Sequence, residues 1–169
     1  MNPCRCGHTL DPGYSCSRQP AARCLAQYQA RLSGPLLDRI DLMIEVPAVN
    51  AADLLLPPAA EGSAEVAARV AAARHVQVKR YAELGLPHVF TNAAAPGHVI
   101  EDAARPDPAG MVLLREASER LNLSARGFHR ILKLARTIAD LDGATTVGRA
   151  HLAEALSYRI GAPKELCAA

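Results

Sequence analysis

The chain has 169 residues, half of them apolar, with 19 Lys and Arg against 17 Asp and Glu. This length and composition allow one packed core with a smaller appendage and exclude a disordered tail. The formal net charge of +2 is too small to indicate nucleic-acid binding by itself. The sequence has no apolar run of about 18 residues and no secretory pattern at its start, so we expect a cytoplasmic protein that does not cross a membrane.

The composition also bears on the fold class. Trp is absent and aromatic residues make up 4% of the chain, so the core has to come from Leu, Val, Ile and Ala on closely packed helices. We therefore predict a mainly α fold, a helical bundle preceded by a cysteine-rich and mostly irregular segment with one strand.

The first 24 residues contain four of the five cysteines, namely Cys4, Cys6, Cys16 and Cys24. This segment has too few large apolar side chains to form a core of its own. In a reducing cytosol the cluster favours thiols or a metal over disulfides. Four thiolates satisfy tetrahedral Zn²⁺, with His8 as a reserve ligand, although the gap between Cys4 and Cys6 is shorter than the usual spacing of about two to four residues. A structural zinc and free thiols ordered by neighbouring protein are both open.

The pattern predicts a short helix over residues 21–32, broken at Ser33-Gly34-Pro35. Residues 40–46 are an apolar run ended by Pro47, which predicts one strand, or a buried apolar segment where no sheet is present. A strand with no partner is unstable, so we expect its sheet to lie outside this chain. We assign residues 1–50 to one region and residues 51–62 to a linker.

The remaining residues predict a helical domain over 63–160, followed by a tail over 161–169. Its helices are expected at 63–84 with Ser63 as the cap, at 108–121 after Asp107, from Ser124 to Gly143, and from Thr146 to about residue 159. Residues 88–105 are expected to form a long irregular connection. An apolar face made of Phe128, Ile131, Leu132, Ala135, Ile138 and Ala139 lies opposite Arg126, Arg130 and Lys133.

Two arginines are candidates for phosphate chemistry. Arg39 lies between Asp38 and Asp41 at the start of the apolar run, where a rigid guanidinium could stabilise a transferring phosphoryl group in a neighbouring subunit. A local ion pair with either aspartate is the alternative. Arg126 is in the first turn of a predicted helix, a place that favours anions, so a bound phosphate would suit it. A solvated arginine beside Arg130 is the alternative there.

Three segments carry a family resemblance. They read Met-Asn-Pro-Cys-Arg-Cys-Gly at 1–7, Ser-Gly-Pro-Leu-Leu-Asp-Arg-Ile-Asp-Leu at 33–42, and Leu-Ser-Ala-Arg-Gly-Phe-His-Arg-Ile-Leu at 123–132, followed by Ala-Arg-Thr-Ile-Ala-Asp-Leu at 135–141. In this order, and over nearly the whole chain, the sequence resembles the C-terminal part of the magnesium chelatase-like AAA+ ATPases, the ComM or YifB group.

The resemblance implies a role for each matching position. Asn2 corresponds to the first-sensor asparagine that orients the attacking water, Arg39 to the arginine finger, and Arg126 to the second-sensor arginine on a helical lid. It also implies ATP and Mg²⁺ as cofactors, a homo-oligomeric ring, a hexamer, and DNA remodelling, specifically branch migration in natural transformation. Many family members have a Cys-x-Cys pair where this chain has Cys16 followed by Ser17 and Arg18, so Cys24 would have to supply the fourth ligand.

In that family a phosphate loop and a Mg²⁺-binding acidic strand precede the Asn-Pro-Cys motif. Lys79, Lys133 and Lys164 have no Gly-x-x-x-x-Gly-Lys context. We therefore expect a fragment that needs an N-terminal ATPase half and does not hydrolyse ATP alone.

Two other functions stay open. A chelatase motor that inserts metal into a porphyrin shares the family resemblance. A zinc-dependent module that binds nucleic acid or protein would use the cysteines and the basic stripe, but it leaves the segment around Arg39 unexplained.

Overall fold

The computed structural model describes residues 21–33, 36, 39–44, 46, 49, 55–57 and 60–160. It divides into two compact units, Met1–Pro57 with Ile160–Ala169, and Pro58–Arg159. The helices are α1 (Ala21–Gln29), α2 (Ser63–Glu83), α3 (Gly97–Ala103), α4 (Pro108–Leu121), α5 (Ala125–Leu141) and α6 (Arg149–Ile160), and a 3₁₀ turn spans Asn92–Ala94. The described residues contain no named strand, and the prediction of a mainly α fold is confirmed. None of the described helices is both long and apolar enough to cross a bilayer.

Local capping sets the start of two helices. The Asp107 carboxylate accepts a hydrogen bond from the Gly110 amide (2.6 Å) and begins α4, with Pro108 as its first residue. The Ser124 hydroxyl accepts from the Gly127 amide (3.0 Å) and begins α5. Between them Asn122 adopts a left-handed conformation with φ of 47° and ends α4 as its C-cap. Both predicted caps are confirmed.

Helix α5 is the central element of the second unit. Its buried residues include Ile131, Leu132, Ala135, Ile138 and Ala139, and it packs against α2, α3 and the 3₁₀ turn. The core around it is filled by side chains from every helix of the unit, among them Tyr81, Ile100, Leu114, Leu152 and Leu156. The apolar face predicted for α5 is therefore confirmed, with Phe128 partly buried against the same core.

The prediction of an irregular connection over residues 88–105 is wrong. Thr91 caps the 3₁₀ turn by accepting a hydrogen bond from the Ala94 amide at 3.3 Å, and α3 follows from Gly97. Ile100 on α3 is fully buried, so this short helix completes the core. Its N-cap is Pro96, which makes no side-chain capping bond, and this explains why the sequence lacks the usual start signal.

Two other predicted helix starts are displaced. Gly62, in an extended conformation, is the N-cap of α2, and Ser63 is the first helical residue. The last helix begins at Arg149, because Val147 is fully buried and forms a parallel bridge with Pro106, so the preceding residues are held away from helical geometry. The Gly148 amide donates to His151 Nδ1 at 3.0 Å, and this bond replaces the cap expected from Thr146.

The first unit differs from expectation at both of its predicted elements. Helix α1 ends at Gln29, and residues 30–32 form turns. In the described part of the apolar run, residues 40–44 and 46, the backbone is not a strand. The side chains of Ile40, Leu42, Ile44 and Val46 are exposed, so the alternative of a buried segment is wrong as well. Among the described residues, nothing supplies the backbone partners that a strand needs.

Candidate functional site

Arg126 is the second residue of α5 and is exposed at the N-terminal end of that helix. Helix geometry gives the first-turn amides no acceptor within the helix, and Ser124 satisfies that of Gly127. The amides of Ala125 and Arg126 therefore point out of the helix end, where the helix dipole favours negative charge. The arrangement suits an anion held by backbone N–H groups and one guanidinium.

A second arginine, Arg159, lies at the same helix end. A methyl group added at Gly127 would be 3.6 Å from Nη2 of Arg159 and 3.4 Å from the Ser124 hydroxyl. Arg159 is in the last turn of α6, so the C-terminal end of that helix lies beside the start of α5. Arg159 could not be assigned to this helix end from the sequence, since nothing in the sequence relates positions 127 and 159.

One turn after Arg126, His129 connects α5 to α3. Its Nε2 atom lies 2.6 Å from a carboxylate oxygen of Glu101. Gly97, the first residue of α3, lies against the ring, and a Cβ there would approach the imidazole to 3.0 Å. The absence of a side chain at Gly97 thus allows α3 to sit close to the N-terminal half of α5.

The other end of α5 is fixed by a buried carboxylate. The side chain of Asp140 is 0% exposed. It accepts hydrogen bonds from three side chains: from Nη1 and Nη2 of Arg80, from the Asn92 amide at 2.9 Å, and from Arg136 Nε at 3.0 Å. Asn92 also accepts from the Tyr81 hydroxyl at 2.8 Å and donates to Thr137 at 3.0 Å. We call Arg80, Tyr81, Asn92, Arg136 and Asp140 the Asp140 network.

The charges in the Asp140 network are held by their partners. Burial acts to raise the pKa of the Asp140 carboxyl, but the hydrogen bonds from Arg80 and Asn92 and the positive charges of Arg136 and Arg80 together outweigh it and leave the pKa below its usual value. The same hydrogen bond with Asp140 raises the pKa of Arg80, whereas desolvation lowers that of Arg136. Arginine stays protonated in proteins. The ionised Asp140 carboxylate therefore lies between two positively charged guanidinium groups, those of Arg80 and Arg136.

Arg136 also fixes the chain that follows α5. Its guanidinium, 1% exposed, donates to the carbonyl oxygens of Ala144 (2.5 Å) and Thr145 (2.9 Å). The turn that precedes α6 includes Gly143, whose φ of 70° favours glycine. The i, i+4 spacing of Arg136 and Asp140 was visible in the sequence, but their links to Arg80 and Asn92 were not.

Arg39 lies in the first unit and is exposed in a turn, where its amide donates to the Leu36 carbonyl at 3.0 Å. Arg126 lies in the second unit, so the structure describes each of these arginines in its own unit. The roles assigned to them from the family resemblance stay predictions.

The predicted metal ligands lie largely outside the described residues. This applies to Cys4, Cys6, His8 and Cys16, and Asn2, the predicted first-sensor asparagine, lies outside the described residues as well. Cys24 is described, and it is a free, buried thiol on α1. Within the described ranges no group of three or more metal-binding side chains occurs, and the zinc site stays a prediction.

Comparisons with known proteins agree with this architecture. Residues 60–159 match the family described as magnesium chelatase, subunit ChlI C-terminal, and residues 1–54 match magnesium chelatase, subunit ChlI. The competence protein ComM of Haemophilus influenzae is 39% identical over 160 residues, which cover 94% of this chain and 29% of ComM. The uncharacterized protein YifB of Escherichia coli is 37% identical over 168 residues, which cover 94% of this chain and 29% of YifB.

The chain thus spans about 30% of the length of the curated relatives that it matches. The match to the C-terminal family covers the whole of α2 to α5 and all but the last residue of α6. The chain belongs to the magnesium chelatase-like family, and ComM and YifB are among its relatives.

Proposed function

We propose that this chain contributes the arginine finger and the sensor arginine of a ring-forming ATPase, and that it works within a longer polypeptide that carries the phosphate loop. The observation that carries the proposal is the place of Arg126, exposed in the first turn of α5 beside the N-terminal amides of that helix. ATP with Mg²⁺ supplies the phosphoryl group in this proposal. The ring is a hexamer of identical subunits.

Arg126 acts within its own subunit. Its guanidinium binds the phosphates of a nucleotide together with the amides at the start of α5. The helix behind it is fixed by apolar burial and by the Asp140 network, so the guanidinium projects from a rigid support. Binding of a phosphate at Arg126 therefore affects the whole helical unit.

Arg39 acts on the neighbouring subunit. An arginine finger stabilises the charge that develops on the transferring phosphoryl group, and its removal typically lowers kcat by about 10³ or more. The exposed position of Arg39 leaves it available for such a contact. Asn2 orients the attacking water in this proposal.

The substrate in this proposal is branched DNA, and the process is DNA remodelling, specifically branch migration in natural transformation. The similarity to a protein named for competence supports it. Insertion of metal into a porphyrin is the second candidate, which the name of the matching family supports.

The reading frame that encodes this chain gives the first test. The proposal requires a Gly-x-x-x-x-Gly-Lys loop and an acidic strand in the same polypeptide, before residue 1. A complete frame without them contradicts the proposal.

Kinetics of the full-length polypeptide give the second test. Arg39→Ala is expected to abolish ATP hydrolysis and to spare ATP binding, and Arg126→Ala is expected to weaken ATP binding. Arg31 and Arg149 are exposed arginines in the same two units, so Arg31→Ala and Arg149→Ala are matched controls.

Mixed rings separate the two roles. Arg39→Ala subunits mixed with phosphate-loop variants are expected to regain hydrolysis, because each supplies what the other lacks across the interface. Arg126→Ala subunits are not expected to be rescued in this way. Unchanged hydrolysis after both substitutions contradicts the proposal.

Substrate assays then distinguish the candidates. Stimulation of ATP hydrolysis by branched DNA supports remodelling, and ATP-dependent metal insertion into a porphyrin supports the second candidate. Tight, salt-sensitive DNA binding by the isolated chain, together with no ATP hydrolysis by the full-length polypeptide, favours a binding module instead.

A further inference from the structure

Helix α2 is held to the second unit by few buried side chains. Residues 63–72 are all exposed, and the buried residues of the helix are Ala73, Gln77 and Tyr81. Apolar burial is non-directional and scales with the area removed from water. Apart from the buried ring of Tyr81, the helix removes little apolar area from water, so its orientation also depends on its polar contacts.

Those polar contacts converge on Asp140 of α5. The Arg80 guanidinium donates to both carboxylate oxygens, a forked geometry that restricts angle as well as distance. Tyr81, the next residue of α2, reaches the same carboxylate through Asn92. The Arg80 side chain is 19% exposed, so water weakens the pair less than it would at the surface.

The two helices that meet at Asp140 lead to different parts of the protein. α2 is the first helix after the boundary between the two units at Pro57 and Pro58. α5 carries Arg126 at its opposite end, 14 residues from Asp140, which is about 21 Å of helix. Because α5 is continuous and largely buried, a shift at Arg126 displaces Asp140 as well.

We propose that Arg80 is a positioning residue that, through Asp140, makes α2 follow α5 when a nucleotide phosphate binds at Arg126. This role rests on the proposed function. It gives α2 a nucleotide-dependent orientation without any contact between α2 and the nucleotide.

The test compares Arg80→Met with Lys79→Met in the full-length polypeptide. Both variants remove one positive charge from the same turn of α2, but Lys79 is 70% exposed and pairs only loosely with Glu83 at 4.0 Å. In Arg80→Met the Asp140 carboxylate keeps Arg136 and Asn92 as donors, so the fold is retained. Arg80→Lys, which keeps the charge and loses the fork, is the second variant if Arg80→Met does not unfold cooperatively.

The first readout is hydrogen exchange with and without a non-hydrolysable ATP analogue. In the unmodified protein and in Lys79→Met, the analogue is expected to change exchange at the start of α5 and also in α2. In Arg80→Met the change is expected at α5 alone. A purely structural role for Arg80 would instead raise exchange in α2 by the same amount in both states and leave the analogue-induced change in α2 intact, and that result overturns the proposal.

The second readout is a double-mutant cycle with Arg126→Ala. Arg80→Met is expected to raise the KM for ATP by about fivefold or more, a typical coupling between sites, with little effect on kcat. In the Arg126→Ala background the same change is expected to have no further effect, because Arg80 acts through Arg126. If the effects of the Arg80 and Arg126 substitutions on KM are additive, the proposed role of Arg80 is overturned and the proposed function is not. If Arg126→Ala by itself leaves KM unchanged, the proposed function fails first.

Discussion

Replacing Asp140 by Asn is expected to destabilise the second unit strongly. The substitution keeps the shape of the side chain and removes the negative charge between the guanidinium groups of Arg80 and Arg136. The side chain is 0% exposed, so water cannot compensate. Removing one partner of a buried ion pair typically costs about 3–5 kcal/mol, and we expect a loss in the free energy of unfolding within that range.

The magnitude can be compared with the whole stability of a domain. Natural domains unfold with about 5–15 kcal/mol, so Asp140→Asn is expected to fold at neutral pH and to melt at a much lower temperature. For a unit of this size the fall in Tm is roughly 12 °C or more. Urea unfolding followed by far-UV circular dichroism measures the loss, because the chain has no Trp for fluorescence.

Asp142→Asn is the matched control. Asp142 follows two residues later, its side chain is 61% exposed, and it lies 3.2 Å from His151 Nε2. An exposed pair of this kind contributes about 0–1 kcal/mol, so the control is expected to be nearly neutral. Equal, small losses for the two variants would refute the view that Asp140 is the charged centre of the network.

The pH dependence of the free energy of unfolding tests independently whether an ionised Asp140 stabilises the fold. The pKa of Asp140 is lower in the folded protein than its usual value, so its stabilising contribution is present above about pH 4 and is lost as the pH falls through the folded pKa. Asp140→Asn lacks this contribution at every pH. The free energies of unfolding of the unmodified protein and the variant are therefore expected to converge on the acid side. A constant difference down to low pH would contradict the ionised state.

Three further predictions concern packing, metal and dynamics. Gly110→Ala is expected to destabilise by about 1–3 kcal/mol in urea unfolding, because its Cβ would meet Leu152 at 2.9 Å, whereas Gly127→Ala, at the matching position of α5, is expected to be neutral or stabilising. If Cys4, Cys6, Cys16 and Cys24 hold zinc, the purified protein is expected to contain about one equivalent by elemental analysis, and a preparation that takes up no added zinc would exclude the site. Amides of residues 63–72 are expected to exchange faster than those of residues 131–139, and equal protection would contradict the exposed state of the first half of α2.

The features that were predictable from sequence are those decided by neighbouring residues. Asp107 followed by Pro108, and Ser124 before an apolar face, specify helix starts within one turn of chain, and both were located correctly. Thr146 looked equally suitable as a cap. Its neighbour Val147 is instead paired with Pro106, a contact that crosses about 40 residues and overrides local preference.

The same distinction applies to the candidate site. Arg126 could be placed on an exposed helix start, because cap and helix are adjacent in sequence. Arg159 and Arg80 could not be found, because their positions beside Gly127 and Asp140 depend on how whole helices pack. Asn92 was predicted to lie in an irregular connection, yet its side chain is buried among charged groups.

The exposed first half of α2 has a geometric consequence. The helix is attached from Ala73 onward, and Ser63 lies ten residues away, about 15 Å along the axis. A tilt of about 10° at the attached half would therefore move the N-terminal end by roughly 2.6 Å, close to half the pitch of a helix. A rotation too small to disturb the core at Tyr81 becomes a displacement comparable to the size of an atom where the chain enters the helix. The length of the exposed segment alone would thus enlarge a small rotation of the helix.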